Sequence, residues 1–561
     1  MTSRSDLLVS YARVGLEDVG KAICAAFLLL TNGLDSVYMC SLCRWASRLI
    51  DRFHGKSLSA WKDYFSYLRR VATGAAVRPG KVDALPLNSH WRKRWRLAYH
   101  QVSRVSRAFR PGDAEKVASA LREHQELLTS EFAVDPRQVR KLEDFTSRRF
   151  QGSVTASFKP PGVSASYATT LAQGGSPNEL RHIANLFRAK EVPLQDLRSF
   201  ERFPDFLLQG IPVDVINWPA VHARMDPAKK RHGLLQYFRL EEVLFPYPKS
   251  SDLGLRDWEL SREYLFLNFA CWEKVDWETL PRCRQVAVPE RGFKVRVVTP
   301  IEAAERYLQG LVNTALLSAL EAVPECVSSL RGVAADHLDW SRGTRSSRVV
   351  SADLSAATDH FSHELSLAVL RPMTRNWPEP LRRLAFRAVG PHLMTTDGGS
   401  EVRTTRGALM GSPVCWPLLS VVSCFLHEES GSGGWYAVCG DDYIGCHTLE
   451  TQRRYFRART SIGLKGSPGK DSVSVHGWGV FAEELVSVGR CRVLPSASIR
   501  SLLGSDTTPS WSQGPELKGS LERVRLRAPV QQRLTNLLRR DDLKTLRSAS
   551  IAPFRPRWLG G

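Results

Sequence analysis

The chain has 561 residues, 43% of them hydrophobic, enough for several domains or one large multi-subdomain enzyme with a substantial core. Lys and Arg number 78 against 57 Asp and Glu, and a formal charge of +21 exceeds what colloidal solubility asks for and draws a polyanion, nucleic acid first. The 11 cysteines, odd in number and scattered through apolar segments, argue against a disulfide framework, and no stretch reaches the roughly 18 to 20 apolar residues that span a bilayer.

Residues 1–150 read as a basic, mostly helical region. The early apolar run Ala22 to Leu30 follows Lys21 and stops at Asn32-Gly33, so it reads as a buried helix and not as a signal peptide. Cys40 and Cys43 form a lone Cys-x-x-Cys without a second pair at zinc-ligand spacing, which favours ordinary buried cysteines. From Arg44 to Arg70, Trp45, Trp61, Phe65 and Leu68 alternate with Arg and Lys at helical intervals. His90 to Arg96 is the densest basic and aromatic cluster, and it reads either as a phosphate and base grip or as a helix with two Trp inward. Residues 151–180, rich in Ser, Gly, Ala and Thr, read as a linker or long loop, and the stretch to about Phe269 as short helices broken by prolines.

From Cys283 the character changes. Val286 to Pro300 alternates apolar and cationic residues around Gly292, and Lys294 and Arg296, two apart, share one strand face; the row suits a triphosphate or a guarded sheet edge. Glu302 to about Val323 has the periodicity of an amphipathic helix. Val349 to Ala352 predicts a buried strand that delivers Asp353 at its carboxyl end, where an unpartnered carboxylate is costly and wants a cation or several donors. Ser355, Thr358 and Asp359 lead into a helix that any of them can cap. Gly407 to Ser412 is a glycine-containing loop feeding a helix that Pro413 can begin; it is either a phosphate-binding entry or an ordinary helix start. Trp435 to Cys439 and Tyr443 to Cys446 flank Gly440-Asp441-Asp442, a hairpin tip whose paired carboxylates call for a hard cation such as Mg²⁺ or Mn²⁺. A helix over Glu450 to about Ile462, a loop carrying Lys465 and Lys470, a strand or hairpin at Gly477 to Leu485 and an Arg-rich tail, helical from Leu517 to Leu546, complete the chain.

The order of these pieces resembles viral RNA-dependent RNA polymerases, most of all the narnavirus and botourmiavirus (ourmia-like) branch, over about residues 283–490. Asp353 to Asp359 resembles motif A, Met410 to Pro413 with Trp416 and Ser420 motif B, Gly440 to Asp442 motif C, Gly463 to Ser472 motif D, Gly479 to Leu485 motif E, and Lys294 with Arg296 motif F. The resemblance implies an α+β right hand of fingers, palm and thumb. Its palm is an antiparallel sheet with flanking helices, and a helical N-terminal region precedes it. The segments would be 1–150, 151–180, fingers 181–345 including the phosphate-binding strand 286–300, palm 346–490 and thumb 491–561. It further implies that Asp353, Asp441 and Asp442 hold two Mg²⁺ ions, with Mn²⁺ as substitute, and that Lys470, set by Pro468-Gly469, or else Lys465 protonates pyrophosphate. Lys294 and Arg296 would clamp the triphosphate, Gly411 and Ser412 line the nucleotide site, and Asp359 would probe the ribose 2′-hydroxyl. The family's motif B Asn is missing between Pro413 and Cys424, which leaves Ser412 or Ser420 in that place. Template and nascent RNA and ribonucleoside triphosphates would be the partners, with a membrane surface reached through basic residues still open. The compartment would be host cytoplasm, not the mitochondrion, since Asp6, Glu17 and Asp18 spoil a presequence. Reverse transcriptases share the Asp pair but carry Tyr and Met or Val before it, where Cys439-Gly440 stand here. A non-enzymatic RNA-binding replication protein accounts for the charge but not for three carboxylates placed in a cationic chain.

Overall fold

The computed structural model describes residues 36–150 and 271–497, apart from 54–55, 81–82, 88–91, 273, 332–333, 341–347, 378 and 468, together with the isolated positions 19, 22, 23 and 26. The linker reading of 151–180, the short helices up to residue 270 and the tail beyond 497, with the helix expected over Leu517 to Leu546, lie outside the described residues. Of the Ala22 to Leu30 run, Ala22, Ile23 and Ala26 are helical and fully buried.

Among the described residues the N-terminal region has the helices α1 Ser36–Phe53, α2 Leu58–Thr73, α3 Trp95–Ser103, α4 Ala114–Thr129 and α5 Pro136–Phe150. Their ends follow capping chemistry. The Ser57 hydroxyl accepts from Ala60 N–H at the start of α2, Gly74 closes it in the left-handed conformation, and Asp113 accepts from Lys116 N–H at the start of α4. Trp61, Phe65, Leu68 and Val71 make the apolar face of α2, each side chain contributing roughly 1.5–3 kcal/mol by leaving water. Trp95 in the basic cluster is half-buried, with Arg78 and Arg96 packed over its ring at 4.6 and 4.4 Å.

The second half is mixed helix and sheet. In chain order it runs β1 Arg282–Arg284, β2 Val286–Glu290, β3 Lys294–Val298, α6 Ala303–Glu321, α7 Pro324–Val327, β4 Arg348–Ser355, α8 Ala357–His360, α9 His363–Met373, α10 Glu379–Val389, β5 Leu393–Thr395 and β6 Glu401–Arg403. Then come α11 Cys415–Glu429, β7 Tyr436–Cys439, β8 Asp442–His447, α12 Leu449–Ser461, β9 Lys465–Gly466, β10 Ser472–Ser474, β11 Trp478–Phe481, β12 Glu484–Ser487 and β13 Arg492–Leu494. The central sheet has the antiparallel order β10-β4-β8-β7, with β9 pairing the far end of β4. The expected Lys loop therefore starts in one short strand and ends in another, because β4 offers backbone to pair on both sides of Ala352 and Asp353.

The N-terminal helices share cores with this half. Leu142, Phe145 and Phe150 of α5 sit in one cluster with Leu308, Leu370 and Phe425, while Trp61, Phe65 and Phe109 pack with Phe293, Val480 and Leu485. Helix α2 lies on β10 and β11, and α4 on the β2–β3 hairpin. Among the described residues no single helix is long and apolar enough to cross a membrane. The apolar character of α6 belongs to the core, where Leu308, Leu311, Val312 and Leu316 are fully buried.

Candidate active site

Asp353 is the sixth of the eight residues of β4, and the strand runs on for two residues past it, Leu354 and Ser355, which pair with β9. The antiparallel register sets Asp353 opposite Asp442, the first residue of β8, and Asp442 opposite Cys439 of β7. Asp441 falls in the turn. Gly440 takes φ +61°, and a Cβ there would meet the Trp416 indole nitrogen at 2.6 Å, so the turn requires glycine. Helix α11 grips that glycine twice: Gly440 N–H donates to Ser420 Oγ at 3.1 Å and Ser423 Oγ donates to the Gly440 carbonyl at 3.0 Å. Ser420 thus serves the turn.

Beneath the turn, Tyr443 is wedged between two imidazoles. Its hydroxyl lies 2.6 Å from His427 Nδ1 and 2.6 Å from His447 Nε2, which ties β8 to α11. Burial pulls both imidazoles down, to about 3 and about 4, so both are neutral at physiological pH.

The three carboxylates are crowded. Burial first, then the Asp353 charge, raises Asp441. The same causes, with Asp441 added, push Asp442 up to about 7. Lys470 Nζ lies 2.6 Å from Asp353 Oδ2. The backbone of Asp353 is fixed by Asp471, whose Oδ1 accepts its N–H at 3.1 Å while Arg459 holds Oδ2 at 2.8 Å. A buried cluster of hard oxygens in which three carboxylates share one ammonium suits a divalent cation. Among the described residues no three His, Cys, Asp or Glu are gathered as a ready-made ligand set, and Lys470 takes the place at Asp353.

Lys294 and Arg296 lie on β3, exposed on one face, and the residues between β2 and β3 turn through Gly292 and Phe293, both at positive φ. Arg296 Nε is 3.0 Å from Glu290 Oε2. Desolvation within the cleft, then Arg296, Lys470 and Arg107, pull the Lys294 ammonium down to about 8. Gly411 and Ser412 face another way. Gly411 packs on the Thr299 backbone, and Ser412 Oγ, buried, donates to Gln309 Oε1 at 2.8 Å. Both therefore join the start of α11 to the β3–α6 segment.

Asp359 sits on α8 beside Thr358, whose hydroxyl donates to it at 3.0 Å, with His124 Nε2 at 3.9 Å. Burial raises its carboxyl to about 6. The folded form then keeps a proton that the unfolded chain loses near the model-peptide value of about 3.9, so stability falls as pH rises through about 6. Asp359→Asn is expected to stabilise the fold at pH 8 by up to about 3 kcal/mol and to change little at pH 4. Thermal melts at the two pH values check this, and equal shifts at both would contradict it.

Sequence reasoning did not single out Asp471, Arg459, Ser423 or Glu483. Glu483 lies in the β11–β12 turn, where Ala482 and Glu483 both have positive φ. Its carboxylate meets Arg104 at 3.1 Å and also Arg107. Burial acts to raise it, but Arg107, Arg104 and Arg69 outweigh that and hold it at about 2.

No protein-family model matches the chain. The chain is 30% identical over 296 residues to the RNA-directed RNA polymerase of Saccharomyces 23S RNA narnavirus, covering 47% of this chain and 31% of that protein. It is 24% identical over 530 residues to the RNA-directed RNA polymerase of Saccharomyces 20S RNA narnavirus, covering 82% and 56% respectively. It is 29% identical over 281 residues to the RNA-dependent RNA polymerase of Ourmia melon virus, covering 43% and 30%. These homologues are the narnavirus and ourmia-like branch that the motif order resembles. The chain spans between about a third and about half the length of these curated relatives. Among solved structures, the RNA-dependent RNA polymerase of a human picobirnavirus aligns with TM-score 0.38 and 14% identity over 48% of this chain and 56% of that one.

Proposed function

We propose that the chain is a template-directed RNA polymerase that replicates a positive-strand RNA virus genome from ribonucleoside triphosphates. The observation that carries the reading is the convergence of Asp353, Asp441, Asp442 and Lys470 from three separate sequence segments onto one end of one sheet. The sequence relatives, all named as RNA polymerases, support it. In this reading the central sheet β4, β7 and β8 is the palm, residues 181–345 belong to the fingers and 491–561 to the thumb.

Asp353 and Asp441, with Asp442 beside them, would hold Mg²⁺ or Mn²⁺, two ions in our reading. Bound there, the metal supplies Lewis-acid activation of the primer 3′-hydroxyl and charge neutralisation on the triphosphate. The protein's own residues do the rest by position and charge. Lys294 and Arg296 hold the phosphates. Lys470, released from Asp353 as the triphosphate arrives, donates its proton to the leaving pyrophosphate. Asp359 accepts from the ribose 2′-hydroxyl, and the loop of Gly411 and Ser412 acts only through its packing, by fixing the start of α11 against the segment after β3. Base pairing to the template sets the sequence copied, so basic surfaces need grip only the backbone. We place the reaction in host cytoplasm.

The purified chain, given Mg²⁺, an RNA template and ribonucleotides, should incorporate them in a template-dependent way. Preference for deoxynucleotides would point to a reverse transcriptase, and RNA binding without incorporation to a non-enzymatic replication protein.

A further inference from the structure

A cavity of about 390 Å³ lies between α2, the turn of helix after α3, the β2–β3 turn, the Gly469-Lys470 loop and the β11–β12 turn. Its lining includes eight Lys and Arg side chains and one acid, Glu483. Five of the eight come from residues 62–116, outside the stretch 283–490 that carries the polymerase-like motifs: Lys62, Arg69, Arg104, Arg107 and Lys116. A pocket of this size suits one small ligand and not a strand. Its lining selects a compact polyanion.

Helix α2 organises the pocket. Lys62, Ser66 and Arg69 share one helical face. Lys62 Nζ donates to the Phe293 carbonyl at 3.2 Å, which braces the turn leading into Lys294. Ser66 Oγ donates to the Gly469 carbonyl at 2.8 Å, which braces the loop that carries Lys470. Arg69 lies next on this face and lines the cavity, and its Nε has no hydrogen-bond partner among the described residues. It feels the charges of Glu483, Asp353 and Asp442. Glu483, gripped by Arg104 and Arg107, holds those two guanidiniums at the β11–β12 turn.

We propose that Arg69 is a phosphate-binding residue of the nucleotide site, and that α2 makes the N-terminal region one wall of a pocket for the triphosphate and for departing pyrophosphate. The proposal rests on the polymerase reading. An anion here would meet the Arg69 fork directly and would offset the mutual repulsion of Lys294, Arg296, Lys470 and Arg107. The N-terminal helices then act in substrate capture as well as in packing.

The test uses the full chain and inorganic pyrophosphate as probe, by calorimetry, alongside incorporation kinetics. Arg69→Gln should weaken pyrophosphate binding about tenfold or more, the scale of a lost hydrogen bond to a charged group, and raise KM for the ribonucleotide in step. kcat, melting temperature and affinity for an RNA duplex should stay near those of the unaltered protein, and Arg69→Lys should recover part of the loss. If Arg69→Gln does not fold, Arg69→Met, which keeps the apolar stem, takes its place. Unchanged pyrophosphate affinity in a folded variant overturns the proposal, as does lost RNA affinity with pyrophosphate binding intact. Asp441→Asn separates the two readings. Incorporation that survives in it sinks the polymerase chemistry while the pyrophosphate result for Arg69 stands or falls on its own.

Discussion

Asp441→Asn is expected to lower ribonucleotide incorporation by at least about a thousandfold while raising the melting temperature at pH 8 in chelator. The two effects have one origin. Asp441 is raised by burial and then by Asp353, and its charge in turn helps to raise Asp442 to about 7. An acid whose folded value exceeds its unfolded value costs stability as pH climbs through the folded value, because the folded form must surrender a proton into a crowded, desolvated site. The amide removes that cost and also removes a hard anionic oxygen that a divalent cation needs. The stabilisation should shrink as pH falls toward the ordinary Asp value of about 3.9, where the unfolded chain takes up the proton as well. Asp353→Asn should behave differently, since it breaks the 2.6 Å pair with Lys470 and so gains less. Melts at pH 4 and pH 8, with incorporation measured in Mg²⁺, test the pair of effects. A variant that loses activity and melts lower at pH 8 would instead mean a damaged fold.

The second large effect is Gly411→Ala. A Cβ at this position would lie 1.8 Å from the Thr299 carbonyl oxygen and 2.6 Å from its carbon. The obstacle is backbone, so no rotamer change relieves it, and the loop must move away from the Thr299-Pro300 segment that follows β3. Displacement would break the 3.3 Å bond from Gly411 N–H to Thr299 Oγ1 and loosen the buried Ser412–Gln309 pair. Overpacking of this kind costs about 3 kcal/mol. Urea unfolding should show the loss, together with reduced incorporation. Gly433→Ala is the control, since nothing lies within 4 Å of its added methyl. Equal stability of the two variants would contradict the close approach.

The hairpin at Gly440 to Asp442, the strand at Asp353 and the β2–β3 row were legible because each is written locally. Period-two apolar runs, a turn residue and charges two apart suffice to place them. The local reading reached its limit with Ser412 and Ser420. A hydroxyl in a glycine loop or on a helix looks the same in sequence whether it faces a ligand or the protein, and here Ser420 accepts from Gly440 and Ser412 donates to Gln309. Asp471 carries no local signal beside Lys470, although it is the carboxylate that fixes the Asp353 backbone.

The sequence by itself determined the three carboxylates, their order along the chain and the cationic strand that accompanies them, since strand and turn preferences act over a few residues. Only the tertiary structure decided what the basic N-terminal helices do. Lys62, Ser66 and Arg69 form an ordinary polar helix face until Phe293 and Gly469, more than two hundred residues away, fold against it. Charge can be counted along a chain, but whether a cation meets solvent, a carboxylate or a phosphate pocket depends on which distant segments the shared cores bring beside it.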